Sequence, residues 1–178
     1  NQDLYVAVIA RARNDLTVAH LIETAVTYVR PKAAAFLNET NGTGRARTLE
    51  GLEEKTEVVL GSAPDGPIPV PMNGATYMAD VMGGQKTGLF FDQRPNHAFA
   101  ARLAKDARVL DVFSHVGGFG LAALAGGATS ALAVDGSAPA LELAEKGAAA
   151  MGAADRFETR KGDAFDVLAA LAEEGENF

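Results

Sequence analysis

The sequence predicts an α/β protein, with a small α/β unit and its β-hairpin preceding the first half of a doubly wound, mostly parallel sheet. Two observations support this class. From residue 108 onward, apolar strand-like segments alternate with helical segments, the order that is typical of parallel βαβ units. A loop that contains Gly117, Gly118 and Gly120 joins the first of these strands to an alanine-rich helix.

The composition limits the possible functions. The 178 residues are 48% hydrophobic, enough for one large domain or two small ones, and they carry a formal net charge of −7. The absence of cysteine excludes disulfides and thiolate metal sites within these residues, and the three scattered histidines do not predict a metal site. No apolar stretch predicts a membrane span, so we expect a cytoplasmic protein without membrane contact. The acidic balance disfavours an autonomous nucleic-acid-binding module, so any contact with RNA needs a local patch or another part of the protein.

The first part of the chain shows short strands, one helix and a hairpin. Apolar, β-rich segments predict strands over residues 4–10, 33–37 and 57–60. Helical spacing predicts a helix over residues 16–29 that ends before Pro31. From Pro69 onward the pattern predicts a hairpin, in which residues 75–81 and 87–91 are strands and Gly83-Gly84 forms the turn. We place the domain boundary near Arg94, between domains 1–94 and 95–178.

The second part alternates strictly after a first helix over residues 95–104. The predicted strands are 108–113, 129–134 and 156–160, and the predicted helices are 118–125, 137–151 and 164–174. Residues 175–178 look like the approach to a fourth parallel strand. We therefore expect this chain to be a fragment of a longer protein.

The unit over residues 108–135 has the order of a nucleotide-binding motif. The segment from Gly118 to Ala123 matches G-x-G-x-x-A, and Asp135 ends the second strand, where a carboxylate accepts hydrogen bonds from ribose hydroxyls. We expect the helix start to offer free N–H donors to a carboxylate or phosphate. Asp111 favours a ligand with a cationic amino or sulfonium group over a pyrophosphate, since an anion at this position would repel the pyrophosphate. These residues indicate S-adenosylmethionine, with a nicotinamide dinucleotide as the alternative.

Two further segments are candidates for the same site. Asp163 follows the third strand, where it can meet the adenine amino group, cap the next helix, or do both. The run that ends in Asp92-Gln93-Arg94 can cover the cofactor pocket or form a plain surface hairpin. Adjacent Ser114 and His115 do not predict a hydrolase triad, because no oriented acid accompanies them.

Four segments together resemble the ribosomal RNA large subunit methyltransferase I family. They are G-Q-K-T-G-L-F-F-D-Q-R at 84–94, D-V-F-S-H-V-G-G-F-G at 111–120, A-V-D-G-S at 133–137 and K-G-D-A at 161–164. The resemblance implies a class I S-adenosylmethionine-dependent RNA methyltransferase that acts on 23S ribosomal RNA, with cytosine C5 as the favoured target. Residues 1–94 then match the family's middle α/β domain with its closing hairpin, and residues 95–178 the first half of its Rossmann-like catalytic domain.

By position, the resemblance implies cofactor-binding residues but no catalytic residue and no metal ligand in this chain. The cofactor-binding residues are Phe91, Gln93, Arg94, Asp111, Ser114, Gly117, Gly118, Phe119, Asp135, Ser137, Asp163 and Ala164. The family often has Cys-Tyr at Ser114-His115 and Asn at Gly147.

The family's D-P-P motif and nucleophilic cysteine are not in these residues, so we expect the chain alone to be inactive. An open sheet edge also makes a homodimer possible. A non-catalytic protein that binds S-adenosylmethionine or RNA is a further alternative, and the residues beyond Phe178 would discriminate it from an enzyme.

Overall fold

The computed structural model describes residues 4–9, 33–39, 56–84 and 88–178. The chain forms two compact units, one made of Asn1–Gly66 with Val81–Thr87 and the other of Pro67–Asp80 with Gly88–Phe178. The hairpin near residue 70 therefore belongs to the second unit. The assignment of domains 1–94 and 95–178 stays a prediction.

The first unit contains a three-stranded mixed sheet. Strands β1 (Leu4–Ile9) and β2 (Ala33–Glu39) are parallel, and β3 (Thr56–Gly61) pairs with β2 in antiparallel orientation. The three strands predicted in this part of the sequence are confirmed. The helix predicted over residues 16–29 lies outside the described residues.

The hairpin of the second unit lies earlier in the chain than the sequence analysis placed it. Strands β4 (Ile68–Met72) and β5 (Ala75–Ala79) are antiparallel, and Asn73-Gly74 forms the turn between them. Both turn residues have positive φ, 55° and 80°, as a two-residue Asn-Gly turn requires. The strand predicted over 75–81 is confirmed as β5, and Gly83-Gly84 lies in a turn region. The return strand predicted over 87–91 is wrong at residues 88–91, because β5 pairs with the preceding strand β4 through the Asn73-Gly74 turn. Within that segment, residues 85–87 lie outside the described residues.

Gly88 lies beside the end of β5 rather than in a strand. It has φ of 86°, and a Cβ added there would lie 2.7 Å from the backbone nitrogen of Asp80. Phe91–Gln93 then forms a 3₁₀ turn that leads directly into helix α1 (Arg94–Leu103). The backbone at residue 88 thus packs closely against the end of β5, and only glycine fits there.

The rest of the second unit alternates strands and helices as the sequence predicts. Strands β6 (Arg108–Val112), β7 (Ser130–Asp135) and β8 (Phe157–Lys161) form a parallel sheet in the order β6-β7-β8. Helices α2 (Gly118–Ala125), α3 (Ala138–Ala150) and α4 (Ala164–Glu173) follow the strands in turn. All six elements lie within one residue of their predicted bounds, because their apolar patterns and caps are strong. The α/β class is confirmed.

Helices cover both faces of this sheet. Leu132 and Val134 of β7 pack with Val167 and Leu171 of α4. The alternate residue Ala131 lies close to Gly120 of α2, on the other face, because side chains along a strand alternate. Small residues on that side let α2 approach the sheet closely. The carboxyl ends of the three strands meet at one edge, where the loop before α2, Asp135 and Asp163 all lie.

Candidate cofactor-binding site

The loop between β6 and α2 has an unusual backbone. Phe113, His115 and Gly117 have φ of 59°, 51° and 77°, so three of its five residues are in the left-handed region. Two of them are not glycine, and such residues are concentrated at functional sites where the surroundings hold the strain. The N–H of Ser114 donates to Val134 O at 3.1 Å, which ties the loop to the end of β7.

Asp111 caps α2 from inside the protein. It is only 4% exposed, and its Oδ2 accepts hydrogen bonds from the N–H groups of Phe119 at 3.1 Å and Gly120 at 2.8 Å. Burial raises its pKa to about 6, the two hydrogen bonds oppose that shift, and the charge of Asp135 adds to it. The N–H of Gly118 donates to Ser114 O. The expectation that the helix start offers free donors is therefore wrong for these three residues.

The glycines of the loop leave room for neighbouring side chains. A Cβ at Gly117 or Gly120 would lie 3.1 Å or 3.2 Å from the ring of Phe157, and one at Gly118 would lie 2.8 Å from Nε2 of His97. These distances are shorter than ordinary van der Waals contacts. The glycine pattern thus serves close packing of the loop as well as any approach of a ligand.

Asp135 lies at the tip of the central strand with both carboxylate oxygens engaged. Oδ2 accepts from the N–H of His115 at 2.8 Å, and Oδ1 accepts from the N–H of Ser137 at 2.9 Å. Each oxygen retains acceptor capacity beyond one such bond. Ser137 in turn caps α3, since its Oγ accepts from Ala140 N. The half-buried carboxylate is therefore fixed in position and still able to accept from a diol.

Asp163 caps α4, as one of its two predicted roles requires. Its Oδ1 accepts from the N–H of Phe165 at 2.9 Å and of Asp166 at 3.4 Å. Ala164 is buried in the first turn. Capping is confirmed, and contact with an adenine stays a prediction.

Two exposed aromatic rings lie on either side of this edge. Phe113 is 71% exposed and Phe165 is 73% exposed, and their ring centroids lie 6.5 Å apart. Phe113 follows β6 and Phe165 begins α4 after β8, so the pair spans the end of β7 and Asp135. Neither ring is among the residues predicted from the sequence, although Phe113 lies within the motif at 111–120 and Phe165 directly follows the motif at 161–164.

A cavity of about 330 Å³ is lined in part by the same loop, including Phe113. Its wall combines apolar side chains from β4, β5 and residues 89–90 with the loop before α2 and with α1. Four of the predicted residues line it, namely Gln93, Ser114, Gly118 and Phe119. Two buried atoms of its wall, Ser114 Oγ and His97 Nδ1, have no hydrogen-bond partner.

Of the residues predicted in the segment 91–94, only one lines the cavity. Gln93 lines it, and its side-chain oxygen accepts from Asn96 Nδ2 at 2.9 Å. Phe91 and Arg94 are exposed and do not line it. Arg94 contributes its backbone oxygen, which accepts from Asn73 Nδ2. A role for Phe91 and Arg94 in ligand binding stays a prediction.

Tyr77 and His97 are site residues that the sequence patterns do not predict. Tyr77 is fully buried, and its hydroxyl donates to Gly118 O at 3.0 Å. The imidazole of His97 lies between the rings of Tyr77 and Phe119, with centroid distances of 6.0 Å and 4.6 Å. In the sequence, the only indication of this cluster is that Tyr77 occupies an inward-facing position in a strand with alternating polarity. A lone histidine near a helix start gave none.

None of the described helices is long and apolar enough to cross a membrane. Within the same residues, no group of three or more His, Asp or Glu side chains is placed to hold a metal ion.

Comparison with known families identifies the class of protein. A family model of S-adenosylmethionine-dependent methyltransferases matches residues 56–151. The chain belongs to the S-adenosylmethionine-dependent methyltransferases. This membership confirms the cofactor class that Asp111 and Asp135 indicated, and it decides against the nicotinamide alternative.

A related protein belongs to the family that the four sequence motifs resemble. The ribosomal RNA large subunit methyltransferase I of Tolumonas auensis is 39% identical over 176 residues, which are 93% of this chain and 44% of the relative. The chain therefore spans less than half the length of that relative.

Solved structures share the fold. A putative S-adenosylmethionine-dependent methyltransferase from Streptococcus mutans aligns with a TM-score of 0.78 and 20% identity over 96% of this chain and 43% of its own. A putative methyltransferase complexed with SAH aligns with the same values.

Proposed function

We propose that this chain forms part of an enzyme that transfers a methyl group from S-adenosylmethionine to a base of 23S ribosomal RNA, with C5 of cytosine as the target. The observation that carries the cofactor part is Asp135, fixed by two backbone N–H groups at the tip of β7 and next to the left-handed loop. The proposed RNA substrate rests on the relative from Tolumonas auensis, which is a ribosomal RNA large subunit methyltransferase I. A ribosomal RNA substrate would place the protein in the cytoplasm.

The residues at the sheet edge fit S-adenosylmethionine better than a dinucleotide. The N–H groups of Phe119 and Gly120 are engaged by the Asp111 carboxylate, so a pyrophosphate would meet an anion instead of free donors. The cavity lined by the loop instead has two unpartnered buried polar atoms, His97 Nδ1 and Ser114 Oγ, which suit the small polar end of a ligand.

We assign roles to the predicted residues accordingly. Asp135 accepts from the ribose hydroxyls, and Ser137 holds one of its oxygens in place through a backbone N–H. Asp163 and Ala164 begin the helix on the adenine side. Asp111 acts through α2 by fixing the turn of Gly117, Gly118 and Phe119. The remaining members of the proposed set are Phe91, Gln93, Arg94 and Ser114.

The bound cofactor supplies an electrophilic methyl group on a sulfonium sulfur. The residues of this chain then bind and orient that group at the sheet edge. Methylation at C5 of cytosine also needs a nucleophile that attacks C6, for which a thiolate is suited, and these 178 residues contain no cysteine. We therefore propose that this chain alone transfers no methyl group and binds the cofactor weakly.

A homodimer is a further part of the proposal. In the sheet β6-β7-β8, both outer strands have an edge without a partner strand among the described residues. An unpaired edge is a template for another strand. Sedimentation of the 178-residue chain should show association that rises with concentration, and a monomer at all concentrations would contradict this part.

Methyl transfer to RNA tests the proposed function. The full-length protein is incubated with methyl-labelled S-adenosylmethionine and 23S ribosomal RNA transcribed in vitro, which carries no modification. Digestion to nucleosides should give label in 5-methylcytidine. Label in another nucleoside would refute the cytosine assignment alone. Cofactor binding without any transfer would support the non-catalytic alternative.

A further inference from the structure

The hydroxyl of Tyr77 forms a hydrogen bond that the cofactor motifs do not explain. Tyr77 lies in β5 of the hairpin, is fully buried, and donates to the backbone oxygen of Gly118 at 3.0 Å. Burial raises the pKa of the Tyr77 hydroxyl above its usual range, and the charge of Asp111 adds to the shift. The hydroxyl therefore keeps its proton near neutral pH and acts as a donor.

Gly118 is held by contacts from three different parts of the chain. Its N–H donates to Ser114 O at 3.2 Å, and its backbone oxygen accepts from Tyr77. A Cβ added to Gly118 would lie 2.8 Å from Nε2 of His97, so the imidazole packs closely against its backbone. Because Gly118 is the first residue of α2, these contacts also fix the point at which the preceding loop ends.

The loop between β6 and α2 needs such contacts because its backbone is strained. Phe113 and His115 have φ of 59° and 51°, a conformation that persists only where the surrounding structure fixes it. Part of this support comes from the end of β7, where Val134 O and the Asp135 carboxylate accept hydrogen bonds from N–H groups of the loop. The bond from Tyr77 comes instead from the hairpin, which lies outside the parallel sheet.

The hairpin is itself fixed in place, because β5 and the turn before it pack against two helices of the second unit. A Cβ added to Gly147 of α3 would lie 2.8 Å from the backbone oxygen of Thr76 in β5. A Cβ added to Gly74 of the turn would lie 3.7 Å from Cβ of Ala125 in α2, an ordinary van der Waals contact. A strand that is packed in this way can anchor the loop through the hydroxyl of Tyr77.

We propose that Tyr77 is a positioning residue of the cofactor site, which couples the hairpin to the loop between β6 and α2 and holds that loop ready for the ligand. The inference rests on the proposed cofactor site, and Tyr77 acts on the ligand through Gly118. A loop that is ordered before binding loses less conformational entropy when the ligand binds. Because coupling between two sites is reciprocal, the bound cofactor must in turn stabilise the hairpin.

A variant that lacks only the hydroxyl tests this coupling. Tyr77→Phe keeps the buried ring and removes the donor to Gly118. Thr129→Val is the matched control, because the Thr129 hydroxyl also donates to a backbone oxygen at 3.0 Å, that of Ala107, at the amino ends of β6 and β7. Calorimetry on the full-length protein measures binding of S-adenosylhomocysteine to the wild type and both variants. Hydrogen exchange, detected by mass spectrometry, follows the amides of β5 and of residues 113–119 with and without this ligand.

We expect Tyr77→Phe to weaken S-adenosylhomocysteine binding about three- to tenfold, the equivalent of one net hydrogen bond of about 0.7–1.4 kcal/mol. Without ligand, the amides of residues 113–119 should exchange faster in this variant than in the wild type. In the wild type, the ligand should slow exchange in β5 as well as in the loop, and Tyr77→Phe should lose the effect on β5. Thr129→Val should match the wild type in binding and in the exchange of both segments.

A tyrosine that only stabilises the fold gives a different pattern. If folded Tyr77→Phe binds S-adenosylhomocysteine as tightly as the wild type, or if the ligand still slows exchange in its β5, the coupling is overturned although the cofactor site stands. An equal loss of binding in Thr129→Val would also overturn it. If the wild type does not bind the ligand, the proposed function fails as well. Should Tyr77→Phe fail to fold, the wild type decides, and unchanged exchange in β5 on ligand binding would contradict the inference.

Discussion

Oδ2 of Asp111 lies 2.8 Å from the amide nitrogen of Gly120, so a buried carboxylate of β6 caps the helix that follows the glycine loop. This bond links the first motif of the site to the packing of α2. The charge of Asp135 contributes to the raised pKa of this carboxylate. A change in its charge should therefore be measurable in the stability of the fold.

Replacement of Asp111 by Asn should alter the pH dependence of stability. The pKa is raised from 3.8 to about 6 in the folded protein. Between these values the folded state keeps a proton that the unfolded state has lost, so stability falls as pH rises and the full penalty of about 3 kcal/mol is present above pH 6. Asp111→Asn removes this titration. Urea unfolding at several pH values between 4 and 7 should show a smaller loss for the variant, and parallel curves would count against the raised pKa.

Replacement of Gly147 by Asn should destabilise the protein. A Cβ at this position of α3 would lie 2.8 Å from the backbone oxygen of Thr76 in β5 and 2.9 Å from Leu121. Overpacking of this kind costs about 1–3 kcal/mol, and the gain in helix propensity offsets at most about 1 kcal/mol. Gly147→Asn should lower the melting temperature. Gly66→Ala is the control, since nothing lies within 4 Å of an added Cβ there. Equal melting temperatures for the two variants would contradict the close approach of α3 and β5.

The exposed ring of Phe165 should contribute to cofactor affinity. Phe113 and Phe165 flank the end of β7, and stacking of a planar base on an aromatic ring contributes about 1–3 kcal/mol. Phe165→Ala should weaken the binding of S-adenosylhomocysteine and of adenosine by the same factor, because both carry the adenine. The exposed Leu168→Ala, one turn further along α4, is the control. A Phe165→Ala protein that binds both ligands normally would show that the ring is only a surface residue.

The sequence predicted the βαβ part of the fold well because its signals are local. Apolar strands, glycines and the cap at Asp163 define each element without reference to distant residues. The hairpin was misplaced because the strand over 75–81 was paired with the segment after it, whereas β5 pairs with β4 through the Asn73-Gly74 turn. For the site, the motifs identified Asp111 and Asp135 but not their partners. The cluster of Tyr77, His97 and Phe119 joins three separate elements, and no spacing within one element reveals it.

Binding of the cofactor at Asp135 is the central claim, and calorimetry with S-adenosylhomocysteine on the full-length protein tests it most directly. Asp135→Ala removes the acceptor for the ribose hydroxyls, and the loss of two charge-assisted hydrogen bonds should cost on the order of 2–3 kcal/mol, an affinity about 30- to 150-fold weaker. Asp155→Ala, an exposed carboxylate in the turn before β8, is the matched control and should bind as the wild type does. Circular dichroism verifies that both variants are folded. Unchanged affinity in a folded Asp135→Ala protein would contradict the account.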